Sequence, residues 1–161
     1  MDIFDFAMEK EKLSENYYRG LSGKTENKGL KNIFGMLAGE EAKHYDVVSK
    51  MKEKTPVEVS QASVLSDAKA VFSNMRESAE NFNFDISQIE LYKKARDIES
   101  ESRDFYLEKA QEVTGEHPKG LFLGLAEEEK KHYFLLENII EFVSRPEQWL
   151  ENAEFYHLEE Y

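Results

Sequence analysis

Apolar side chains recur at alternating steps of three and four along four stretches of the chain. The first carries Phe4, Ala7, Tyr18 and Leu21, and the second Leu30, Phe34, Leu37, Val48 and Met51. The third carries Tyr92, Ala95 and Tyr106, and the fourth Phe122, Leu125, Leu136, Ile139 and Val143. This is the period of an amphipathic helix, and it predicts helices over about residues 2–22, 27–53, 86–113 and 119–144. Lys54-Thr55-Pro56 closes the second, because the residue before a proline avoids helical geometry. Gly115 and Pro118 separate the third helix from the fourth. Pro146 opens a short last segment, PEQWLENAEFYHLEEY, expected to form one more helix.

The turns between helices one and two, and between three and four, are short, so each pair is expected to be antiparallel. The connection from helix two to helix three is about 30 residues long and partly helix-like, with Val64, Leu65, Ala68, Val71, Phe72, Met75 and Ala79 in register. A long crossover between two antiparallel pairs is the connectivity of ferritin-like four-helix bundles. The expected fold is therefore all-α: a ferritin-like four-helix bundle with a long crossover between helices two and three and a short C-terminal helix.

The chain also repeats itself. Displaced by 88 residues, GLKNIFGMLAGEEAKHYDVV falls on HPKGLFLGLAEEEKKHYFLL, with nine of twenty positions identical. Chance at ordinary composition gives about one or two. The same displacement pairs Ala7 with Ala95, Glu11 with Glu99, Ser14 with Ser102 and Tyr18 with Tyr106. We therefore expect one domain, 1–161, built from two copies of a helix pair (2–53 and 86–144) about a pseudo-twofold axis. The crossover is 54–85 and the C-terminal segment 146–161.

Each apolar seam is broken near its middle by a polar residue. Glu11 interrupts helix one and Glu99 helix three; Glu41 and His44 interrupt helix two, and Glu129 and His132 helix four. Residues three apart on a helix share a face, so each Glu-x-x-His presents two ligands side by side. Four buried carboxylates without partners would be very costly. Two divalent cations neutralise them, and one Glu from each of two helices with Glu-x-x-His from the other two is the ferritin-like dinuclear metal arrangement. Carboxylate with imidazole suits iron or manganese, and zinc also binds such donors. The candidate ligands are Glu11, Glu41, His44, Glu99, Glu129 and His132.

Composition narrows the chemistry. The chain has 161 residues, 40% of them hydrophobic, with 11 Phe and 8 Tyr, enough for a sizeable core. The net charge of −12 disfavours nucleic acid and anionic membranes as partners. The absence of cysteine excludes disulfides, thiol catalysis and cysteine-held clusters within these residues. The acidic start and the lack of any apolar run near 20 residues lead us to expect a cytoplasmic protein.

AMEKEKLSENYY with LAGEEAKHY, and ARDIESESRDFY with LAEEEKKHY, resemble the ferritin-like superfamily, specifically stand-alone rubrerythrin-like di-iron carboxylate proteins. The resemblance implies two irons bridged by Glu41 and Glu129, with Glu11 and His44 completing one and Glu99 and His132 the other. It implies reduction of hydrogen peroxide or dioxygen. Full-length rubrerythrins carry a rubredoxin domain whose four cysteines hold a further iron. With no cysteine here, the electrons would come from a separate donor protein. Rubrerythrins also place a Glu three residues after the helix-three ligand, where this chain has Ser102. The iron movement attributed to that Glu is thus not implied. A homodimer is expected by resemblance alone.

Other readings stand beside this one. A ferroxidase with iron storage uses the same ligands inside a hollow shell, and a non-catalytic bundle braced by metal needs no reaction at all. Tyr18 and Tyr106 lie on the ligand face and are expected to hydrogen-bond a ligating carboxylate; filling the core, or donating an electron, are the alternatives. Glu154 and His157 make a third Glu-x-x-His outside the repeat, read as surface or packing residues, as is His117. Glu40, Glu127 and Glu128 lie off the seam and are expected on solvated faces, and Glu15 and Glu101 on flanks.

Overall fold

The computed structural model describes residues 2–78, 82, 84–151 and 158. Four long helices form the bundle: α1 (Ile3–Lys24), α2 (Lys28–Lys52), α4 (Gln88–Glu112) and α5 (Glu116–Ser144). The crossover carries α3 (Val64–Glu77), and α6 (Pro146–Glu151) follows α5. Asp2 and Asn27 cap α1 and α2 by accepting the N–H groups of Asp5 and Leu30. At the end of α2, Lys54 turns left-handed with φ 60°, and the Thr55 N–H closes back on the Lys50 carbonyl.

The fourth predicted helix begins three residues earlier than expected. Gly115, at φ 107°, makes the reversal, and Pro118 sits in the first turn of α5 rather than ahead of it. A proline is tolerated there because the first N–H groups of a helix lack intrahelical acceptors.

Every neighbouring pair of long helices is antiparallel. Asp5 of α1 meets Lys52 of α2, while Ser22 meets Lys31. Phe6 of α1 lies tilted against Phe105 of α4 with ring centroids 5.3 Å apart, while the Tyr17 hydroxyl donates to the Leu91 carbonyl at 2.7 Å. Across α2 and α5, Glu41 meets His132 and His44 meets Glu129. Consequently α2 and α4 run in the same direction at opposite corners. The chain leaving α2 must travel back along a helix about 37 Å long before α4 can start. That requirement is the physical reason for the crossover.

The crossover covers the α2–α5 flank. Val59 lies against Gly124, and the Ala62 N–H donates to Glu128 at 2.6 Å. α3 then packs Leu65, Ala68, Phe72 and Met75 into one core with Leu30, Ile33 and Phe34 of α2. Trp149 of α6 is fully buried in that core, 4.6 Å from Phe72 and 5.5 Å from Phe142. The last segment thus closes this end of the bundle as far as it is described. A second, smaller core of Ala7, Val48, Tyr106, Phe122 and Leu125 fills the other end. Among the described residues no helix is long and apolar enough to cross a membrane.

Candidate metal centre

Between the two apolar cores lies a polar chamber lined by all six candidate ligands. Glu99, Glu129 and His132 expose no surface, and Glu41, Glu11 and His44 almost none. The ligand atoms form two groups, each within 4.8 Å: Glu11, Glu41, His44 and Glu129, and Glu41, Glu99, Glu129 and His132. Glu41 and Glu129 belong to both. The repeat is visible in the geometry: His44 Nδ1 lies 2.7 Å from Glu129 Oε1, and His132 Nδ1 lies 2.8 Å from Glu41 Oε1. The two imidazoles are parallel within 8°, with centroids 5.6 Å apart.

Each tyrosine expected near the ligands holds the carboxylate of the opposite copy. The Tyr18 hydroxyl donates to Glu99 Oε1 and the Tyr106 hydroxyl to Glu11 Oε1, both at 2.5 Å. In each carboxylate one oxygen is thereby taken, and the other, Oε2, is buried without a hydrogen bond. Both oxygens of Glu129 and Oε2 of Glu41 are also without hydrogen bonds, as is Nε2 of His132. His44 Nδ1 approaches Glu129 closely but without the alignment of a hydrogen bond. Buried polar atoms are ordinarily paired, so this concentration of orphaned lone pairs marks a place for cations.

The electrostatics agree. Burial, then repulsion from the other carboxylates, pushes Glu41 and Glu129 well above the ordinary carboxylate value of 4.5. Burial opposes charge on His44, but Glu11 and Glu129 overcome it and raise the imidazole well above 6.5. Burial likewise opposes charge on Glu11, which His44 nevertheless holds below 4.5. Burial, then the nearby carboxylates, keeps Tyr18 and Tyr106 protonated, hence able to donate. Without cations, Glu41, Glu129 and His44 therefore hold their protons to higher pH than usual, while Glu11 gives its proton up more readily.

The remaining candidates lie elsewhere. Glu15 turns away to Arg19 at 2.7 Å, Glu40 pairs with Lys43, and Glu101, Glu127 and His117 are exposed. Glu154 and His157 lie outside the described residues. Ser14 and Ser102, equivalent in the repeat, are both buried. Glu128 overturns its expectation: it is buried at 2% exposure, under the crossover, with its carboxylate between the Ala62 N–H and Lys131 at 3.0 Å. Helical periodicity placed it on a solvated face because the path of the crossover is not written in the period of α5.

A four-helix bundle with a long crossover and a central Glu/His chamber defines the ferritin-like class. Comparison with known families narrows this further. The Rubrerythrin family model matches residues 2–140. The chain belongs to the rubrerythrin family. None of the curated proteins and none of the solved structures compared with it matches significantly.

Proposed function

We propose that the protein is a dinuclear oxidoreductase that holds two iron ions and reduces hydrogen peroxide or dioxygen with electrons from a separate donor. The observation that carries this reading is the pair of overlapping Glu/His groups in a buried chamber. Four carboxylates balance two divalent cations, and the mixed oxygen and nitrogen donors suit iron or manganese. Two such ions, when bound, supply a two-electron reductant and a clamp for a small oxygen substrate.

The chain's own residues prepare that chemistry. Glu41 and Glu129, which belong to both groups, would serve both ions, and Glu11 with His44 and Glu99 with His132 would complete the two sets. Tyr18 and Tyr106 fix the terminal carboxylates by one oxygen and leave the other buried without a hydrogen bond. The apolar cores at both ends keep bulk water out. No cysteine lies in the 161 residues, so electrons reach the centre from outside them.

The test is a titration of anaerobic metal-free protein with Fe(II), followed by peroxide or air, read by absorption. Two irons per chain and faster oxidation by peroxide than by air support the reading. Faster oxidation by air selects an oxidase or ferroxidase instead. One iron or none, unchanged by Glu41→Ala with Glu129→Ala, refutes the dinuclear centre.

A further inference from the structure

The two copies of the helix pair differ on the outer flank of their second helices. On α5 the displaced positions are Gly124 and Glu128; on α2 they are Met36 and Glu40. Met36 packs against the core that α3 completes, so an apolar helix buttresses α2 from outside. At Gly124 and Glu128, α5 instead meets the extended run 56–62. Among the described residues this run makes no backbone–backbone hydrogen bond, and one hydrogen bond ties it to the bundle: Ala62 N–H to Glu128. One turn earlier, the missing side chain of Gly124 admits Val59; a Cβ there would lie 3.2 Å from it.

Glu128 immediately precedes Glu129, one of the two carboxylates shared by both ligand groups, and His132 follows one turn later. We propose that Glu128 is a positioning residue for the metal centre. Gripping the crossover from the outside of α5 fixes the rotation of the turn that aims Glu129 and His132 inward. Lys131 Nζ lies 3.0 Å from the second carboxylate oxygen, an ion pair without the alignment of a hydrogen bond, while the first accepts the Ala62 N–H. Among the described residues Glu40, the repeat counterpart, pairs with Lys43 at 3.2 Å and touches no crossover backbone. This assignment rests on the dinuclear reading above.

Two measurements test it. Amide hydrogen exchange at Ala62, followed by NMR on metal-free protein, reads the grip. Titration of metal-free protein with Co(II), followed by ligand-field absorption, reads the centre. Glu128→Ala is expected to speed Ala62 exchange and to weaken the weaker cobalt site about tenfold. Glu128→Gln keeps a carbonyl acceptor and is expected to restore both, whereas Glu40→Ala changes neither. Ala62→Pro removes the donor from the other side and is expected to reproduce the cobalt loss should Glu128→Ala fail to fold. Faster exchange with unchanged cobalt affinity, or unchanged exchange, overturns the proposal. If the unsubstituted protein binds no cobalt, the dinuclear reading fails and the positioning role with it. The metal-free exchange experiment distinguishes that failure from a missing grip.

Discussion

The α1–α2 and α4–α5 pairs carry the same residues at the chamber, but the same residue can meet different surroundings on their outer flanks, as Glu40 and Glu128 do. At the chamber, Glu41 and Glu129, His44 and His132, and Tyr18 and Tyr106 occupy matching environments. Away from it the match ends. Tyr106 stacks with Phe122 at 6.0 Å and lies edge-on to Phe105, while Tyr18 belongs to the large core closed by α3 and α6. The lesson is that the chamber residues constrain one another by mutual contact between the two helix pairs. The outer surfaces answer to a crossover that exists in one copy only.

The comparison can be broken most severely at the shared carboxylates. Glu41→Ala and Glu129→Ala should each abolish dinuclear loading, because each residue belongs to both groups; metal analysis after Fe(II) loading checks this. Equal losses support a symmetric centre, and survival of full loading in either variant breaks it.

Next in size is the contrast between the ends. Trp149→Ala should destabilise the α3–α6 end by about 3–5 kcal/mol, since it empties a fully buried site against Phe72 and Phe142. Denaturant unfolding measures it, and a loss under about 1 kcal/mol would show that the last segment does not close the core.

The tyrosines sharpen the match at the chamber. Tyr18→Phe and Tyr106→Phe should each weaken metal binding about tenfold. Similar losses are expected despite their different surroundings, because the bond to the carboxylate is the same length in both. A loss confined to one variant would mean that the surroundings, rather than the bond, carry the effect.

Metal-free stability should depend on pH in a definite direction. Glu41 and Glu129 hold protons above 4.5 in the folded state, and His44 holds one above 6.5. The folded protein then binds more protons than the unfolded chain, so stability falls as pH rises from 4.5 through the folded-state values. Glu11 acts oppositely, its contribution fading as pH falls below 4.5. Thermal melting of metal-free protein should therefore show a decline above 4.5, and bound metal should lessen it. A melting temperature that rises over that range would contradict the crowded chamber.

The smallest effect concerns the ends of the second helices. α2 ends through left-handed Lys54, whereas α5 ends at Arg145 before Pro146 with φ −151°. Lys54→Gly should stabilise by about 1 kcal/mol, because glycine adopts that conformation without a Cβ clash. Denaturant midpoints would show it, and no change would mean that Lys54 is not strained.

The sequence by itself determined the helical segments, the pairing of the two copies and the six polar residues in the seams. Periodicity suffices for these because helix geometry converts spacing into direction. The repeat singled out two Glu-x-x-His motifs from a chain with 26 Glu. Even the tyrosine contacts were legible, since Tyr18 and Tyr106 lie on the ligand face of their helices. Only the tertiary structure decided that each tyrosine reaches across to the other copy's carboxylate, because helical spacing says nothing about neighbours. It alone buried Glu128, placed Val59 over Gly124 and seated Trp149 beside Phe72. Those features depend on where a long, partly extended connection lies, and its path is set by packing against distant helices rather than by any local period.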